Sequence, residues 1–231
     1  MTVRADDRLI AEIRDALRAA ADPTLAPGMQ TYLRSAMPYL GVRVPAVRSI
    51  TRAAEKAHPS ASPAAAIATA AALWRAAGFR EERYAATALL DTPTARQLRD
   101  LSWLPLLEEM IRTGAWWDHV DEVSHRVGDL LLLDRVAMTA VLQAWAREED
   151  FWIRRSTIIA QLGHKSDIDL ALLTFVIETN LAHREFFITK AIGWALREYA
   201  GIDPEWVRAY VAANADRTAP LSRREALKHL A

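Results

Sequence analysis

The 231-residue sequence contains no cysteine, which excludes disulfides, zinc–thiolate sites and thiol nucleophiles. Glycine is scarce, at eight residues, and neither a phosphate-cradling glycine loop nor a serine elbow occurs. No sign of charge dominates. The 29 basic side chains are matched by 29 acidic ones, so no global field draws the chain to nucleic acid or to a membrane. A polyanion partner must therefore be held by a local patch. There is no long apolar run either. The opening stretch MTVRADDRLIAEIRDALRAAAD has helical period and dispersed charge, unlike a signal peptide or a membrane span, and a cytoplasmic protein is expected.

Strand signals are almost absent, and apolar residues recur at intervals of three and four. The pattern predicts helices over 5–21, 28–36, 44–57, 62–77, 80–90, 93–112, 116–132, 134–147, 150–162, 167–180, 184–200, 204–214 and 222–230. Pro23, Pro27, Pro45, Pro59, Pro63, Gly114, Gly163, Pro204 and Pro220 punctuate them. Ser222 and Glu225 have capping-box spacing before an apolar run. With no low-complexity linker, residues 1–231 read as one domain, and a monomer is expected. From about residue 80 the helices come in pairs at a spacing of roughly 35 to 40 residues, the range of helical repeats. FREERYAATALL, DFWIRRSTIIAQL and EFFITKAIGWALREYA are loosely self-similar. The expected fold is all-α, a superhelix of stacked antiparallel helix pairs (HEAT-like repeats) with a concave face, and a compact helical bundle is the alternative.

Several side chains sit where a core would not want them. On helix 184–200, Ile188, Ile192, Ala195, Leu196 and Tyr199 form one apolar stripe. Trp194 falls off that stripe and shares a face with Phe187, Lys190 and Arg197. An aromatic flanked by cations suits a surface that stacks on bases and holds phosphates. The competing reading is a tryptophan packed on a neighbouring helix with snorkelling cations at its rim. On helix 116–132 the inward stripe is Trp116, Val120, Val123, Val127 and Leu131. Trp117 and Asp121 lie one turn apart on its flank. Arg155 points into the apolar face of Trp152, Ser156, Ile159 and Leu162, so it must line a cavity or pair with a carboxylate such as Asp121. Arg48, Arg52 and Lys56 form a basic row that reads as a solvated face or as a DNA contact. Glu122 and His125 have the spacing of a carboxylate-bridged metal site, but a second such motif is missing, so no metal is expected.

YLRSAMPYLGVRVPAVR (32–48), WWDHVDEV (116–123), DFWIRRSTI (150–158), EFFITKAIGWALREYA (185–200) and LSRREALKHL (221–230) together resemble the AlkD-like DNA alkylation repair family. These are helical-repeat DNA glycosylases that remove positively charged alkylated bases. The resemblance spans about residues 28 to 230 and implies a concave DNA-binding face. It places the catalytic aspartate at Asp121, the two tryptophans of the lesion cleft at Trp117 and Trp194, the cleft arginine at Arg155 (with Arg154 one place away), and a further DNA-contacting arginine at Arg197. Lys190, Arg48 and Arg52 join Arg197 as candidate DNA contacts. The resemblance implies excision of bases such as N3-methyladenine or N7-methylguanine from duplex DNA, with no cofactor. His119 stands where the family often has a small residue; its direction on the helix reads as outward, so little effect is expected. The alternative is a catalytically silent helical-repeat module that binds nucleic acid or protein.

Overall fold

A computed structural model describes residues 3–230. Among them every regular element is helical: α1 (Asp7–Ala19), α2 (Ala26–Tyr32), α3 (Val44–Ala57), α4 (Pro63–Arg75), α5 (Arg80–Leu89), α6 (Pro93–Leu98), α7 (Leu104–Gly114), α8 (Trp117–Leu133), α9 (Arg135–Trp145), α10 (Phe151–Ile159), α11 (Leu170–Asn180), α12 (Phe186–Tyr199), α13 (Pro204–Ala213) and α14 (Pro220–Ala226). The all-α expectation holds. Many starts follow from one side chain. Asp6, Ser62, Thr92, Asp134, Asp169 and Asp203 each accept a backbone N–H of the turn they open, worth about 1 kcal/mol apiece.

Several expected helices differ, among them 28–36, which forms instead at Ala26–Tyr32. The stretch 93–112 is broken: α6 ends at Leu98, Asp100 accepts the Ser102 N–H at 2.8 Å, and a 3-10 turn leads into α7. Pro105 explains the break, since it cannot donate to the preceding turn yet is preformed for the start of a new helix. The stretch 167–180 begins instead with a 3-10 turn at Lys165–Asp167, and α11 follows at Leu170. At the C-terminal end the capping box does not form. Ser222 Oγ donates to the Thr189 carbonyl at 2.7 Å, Glu225 is drawn to cations on α12, and α14 starts two residues earlier at Pro220.

Backbone packing groups the chain into two compact units, Met1–Leu106 and Leu107–Ala231. In the first, α3 and α4 pack on α5, and α1 contacts all three. The buried Glu81 at the start of α5 accepts the N–H groups of Leu40, Gly41 and Val42 at 2.9–3.1 Å, which fastens the irregular segment before α3. In the second, α8, α10, α12 and α14 pack one on the next, while α9 and α11 pack on each other and on members of that row. Val120, Val123, Val127, Ile153, Ile159, Ile188, Ile192 and Leu196 fill the row's interior, and each such buried side chain contributes about 1.5–3 kcal/mol. Two glycines set its spacing. A Cβ on Gly128 would lie 2.0 Å from the Ala160 carbonyl oxygen, and one on Gly193 would lie 2.5 Å from Glu225 Cβ. Backbones approach there as closely as they do because no side chain intervenes.

Candidate functional site

The row of α8, α10 and α12 brings together the candidate site residues Trp117, Asp121, Arg155 and Trp194. Trp116 is the N-cap of α8 in extended conformation, and Trp117 is its first helical residue. The helical rise then places Asp121 one turn below Trp117 on the same flank. The stripe residues Val120, Val123, Val127 and Leu131 are buried, as their period predicts. Trp116 departs from expectation: it is half-buried rather than core. Its ring lies 6.1 Å from Trp152 and 5.5 Å from Phe187, and those two lie 4.8 Å apart. This aromatic cluster ties the start of α8 to α10 and α12. The buried Trp116 Nε1 has no hydrogen-bond acceptor among the described residues.

Asp121 and Arg155 meet face to face. Arg155 Nε donates to Asp121 Oδ1 and Arg155 Nη2 to Oδ2, each at 2.7 Å. Arg155 Nη1 donates to the Phe187 carbonyl at 2.5 Å. The arginine side chain is 3% exposed and the carboxylate 16%. The structural pairing weighed from sequence is therefore the one adopted. Arg155 is not presented to solvent, so it does not reach outward to a phosphate in this state. Arg154, one place away, turns the other way and donates to the carbonyls of Arg147 and Glu148 and to Asn180 Oδ1. Sequence reasoning missed the Phe187 carbonyl; a main-chain acceptor leaves no signal in residue type.

Trp194 is half-buried, while the stripe residues Ile188, Ile192, Ala195, Leu196 and Tyr199 are all buried. Lys190 and Arg197 are engaged. Lys190 Nζ lies 2.9 Å from Glu225 Oε1, and Arg197 Nη1 lies 2.8 Å from Glu225 Oε2. The lysine's hydrogen bond and both positive charges hold the Glu225 carboxyl below the usual glutamate range, against a smaller opposing effect of burial. Glu225 is the residue that sequence reasoning misassigned. Its capping spacing was visible, but the stronger claim of two cations on α12 was not. His119 is also corrected: it is 1% exposed and faces inward rather than outward. Arg48 and Arg52 are exposed on α3 in the first unit. Among the described residues no group of three His, Asp or Glu side chains could hold a metal ion, and Glu122 and His125 do not form one.

The sequence matches the DNA alkylation repair enzyme family over residues 13–230. The chain belongs to that family. A solved structure described as a predicted DNA alkylation repair enzyme from Enterococcus faecalis is 27% identical. The likeness covers 91% of this chain and 97% of that one, with a TM-score of 0.81. Among curated proteins no significant match was found. For this DNA alkylation repair family member no described helix is long and apolar enough to cross a membrane.

Proposed function

We propose that this protein is a DNA glycosylase that excises positively charged alkylated purines, of the N3-methyladenine and N7-methylguanine type, from duplex DNA. The observation that carries the reading is the oriented Asp121 carboxylate one turn from Trp117, with the half-buried Trp194 on α12. The helix pairs of the second unit are read as HEAT-like repeats whose α8–α12 side receives the lesion. A monomer acting on DNA in the cytoplasm suffices, since Asp121, Trp117 and Trp194 all come from one unit.

An N3- or N7-alkylated purine bears a formal positive charge and leaves as a neutral base, so no acid is needed to protonate it. What the reaction requires is stabilisation of the positive charge that moves onto the deoxyribose as the glycosidic bond breaks. A carboxylate at ~4 Å attracts that charge by about 4 kcal/mol at an effective dielectric near 20. Only the increase over the ground state accelerates the step. Arg155 makes that increase available without motion. It occupies one lone pair on each Asp121 oxygen and leaves the carboxylate fixed, so no reorganisation is required when the sugar charge appears. In this reading Arg155 positions Asp121 and is not itself a phosphate ligand. Asp121 can also orient the attacking water. Trp117 and Trp194 offer indole faces, the strongest aromatic partners for a cationic nucleotide. Lys190 and Arg197 serve phosphates to the extent that Glu225 releases them.

The test is an oligonucleotide with a single N7-methylguanine, incubated with the protein without metal and then cleaved with alkali. Cleavage at the lesion is expected, and persistent full-length strand with excess protein removes the enzyme reading. A silent DNA-binding module is then the better description. One observation favours that second reading: Arg155 pairs with both oxygens of Asp121, as a purely structural pair would.

A further inference from the structure

The first unit holds a recess that the chemistry at Asp121 does not use. It has a volume of about 520 Å³ and is lined by Ser49, Arg52, Ala53, Glu55 and Lys56 of α3, with Pro59, Pro93 and Thr94 opposite. Its size is within the range of small-ligand sites. Glu55 is the anomaly in it. The residue is 3% exposed, and its Oε1 is buried with no hydrogen-bond partner among the described residues. Two cations line the same recess, yet neither Arg52 nor Lys56 forms an ion pair or hydrogen bond with it; both are exposed. A buried carboxylate oxygen without a donor has surrendered its water for nothing in return. Such a group calls for an explanation, and Glu55 lines the recess.

The other lining residues limit what that partner is. A metal ion is disfavoured, because one carboxylate stands among two positive charges. An anion alone leaves Glu55 unanswered and repelled. The occupant must carry a negative group for Arg52 and Lys56, an N–H donor for Glu55, and a flat apolar body for Ala53, Pro59 and Pro93. We propose that the recess binds a nucleotide whose base bears an exocyclic amino group, with its phosphate on Arg52 and Lys56 and its amino N–H donated to Glu55. Acceptance from the cytosine amino group by glutamate is an established base-edge pairing. Ser49 and Thr94 supply hydroxyls at the rim. A free nucleotide and a nucleotide of a DNA strand share this chemistry. The inference rests on the first unit alone and stands or falls independently of the glycosylase reading.

The experiment is titration of the isotopically labelled full chain with dCMP, dTMP and inorganic phosphate, read by backbone amide shifts. dCMP should move the resonances of residues 49–56 and Thr94, with dTMP and inorganic phosphate at least roughly tenfold weaker, in line with the discrimination of one base-edge contact. Glu55→Gln presents a donor as well as an acceptor, so it should narrow or reverse the dCMP preference. Arg52→Ala with Lys56→Ala should abolish dCMP binding without unfolding the protein. Single-stranded oligo-dC and oligo-dT assign the source: binding much tighter than the mononucleotide identifies a DNA strand, and equal binding identifies a free nucleotide. Equal affinity for dCMP and dTMP, or no shift in α3 at millimolar ligand, overturns the proposal. Asp121→Asn should leave dCMP binding unchanged, which separates a failure here from a failure at the excision site.

Discussion

Arg155 grips both oxygens of Asp121 from a position 34 residues further along the chain, at 2.7 Å on each side. Neither residue is free to change alone. Asp121→Asn keeps the shape but removes the charge, and excision should slow by roughly two orders of magnitude if the carboxylate supplies ~3 kcal/mol. It also leaves a buried guanidinium without a counter-charge, so stability should fall by about 3 kcal/mol. Single-turnover excision below Tm, alongside a thermal melt, separates the two effects. Asp118→Asn, in the first turn of α8, should leave excision nearly unchanged. Loss of excision in Asp118→Asn with Asp121→Asn unaffected would assign the wrong acid.

Arg155→Lys retains the charge but loses the two-pronged contact. If Arg155 positions Asp121, the excision rate should drop about tenfold or more, while the salt dependence of DNA binding stays that of the parent protein. A salt slope shallower by about one unit, with the rate intact, would instead mean that Arg155 reaches a phosphate.

Glu225 competes with DNA for Lys190 and Arg197. Glu225→Gln should therefore bind DNA more tightly at low salt, and the logarithmic salt slope should steepen by roughly one to two units. An unchanged slope would show that these cations never meet phosphate. The same pair predicts a pH effect. The folded-state pKa of Glu225 is held below its ordinary value of 4.5, so its contribution is complete above that value. That contribution is lost as pH falls through the lower, folded-state value. Docking of α14 should loosen only in that acid window, observable as amide exchange in residues 220–226.

Gly193→Ala should destabilise the protein by about 1–3 kcal/mol, because the new methyl meets the Ser222 carbonyl at 2.8 Å as well as Glu225. Since α14 must shift to admit it, DNA affinity should change in the direction of Glu225→Gln. A melt and a salt titration of the same preparation test both halves.

Trp194→Ala removes a half-buried indole that stands beside the buried stripe, and should weaken lesion binding and rate together. Trp116→Ala opens the cluster with Trp152 and Phe187 and should cost about 3 kcal/mol or more. Unfolding by Trp194→Ala with no separate effect on DNA would put that side chain in the core after all.

Much of this was legible in the residues. The stripes of α8 and α12 lie where their periods put them, and Asp121, Trp117 and Trp194 stand out because they break those stripes. Helix 44–57 was read to the residue, since Pro45 opens it and the apolar row ends at Ala57. What was not legible shares one cause. Glu225 as a clamp, His119 as a buried group and the turn at Asp100 all depend on which neighbour competes for a side chain, and periodicity along one helix carries no information about its neighbours. Even the Asp121–Arg155 contact could be posed from sequence only as one of two possibilities, because a charge on an inward face looks the same whether it awaits a ligand or already has a partner.

The grip of Glu81 on residues 40–42 has a kinetic meaning. Those three amides lie outside any helix, and a segment of that kind ordinarily exchanges its hydrogens with solvent quickly. Here each amide is tied to a buried carboxylate at the start of α5, so it can open only when that end of α5 comes away from the segment. The irregular stretch should then exchange as slowly as the core helices around it, and Leu40, Gly41 and Val42 become natural clocks for the rarest openings of the first unit.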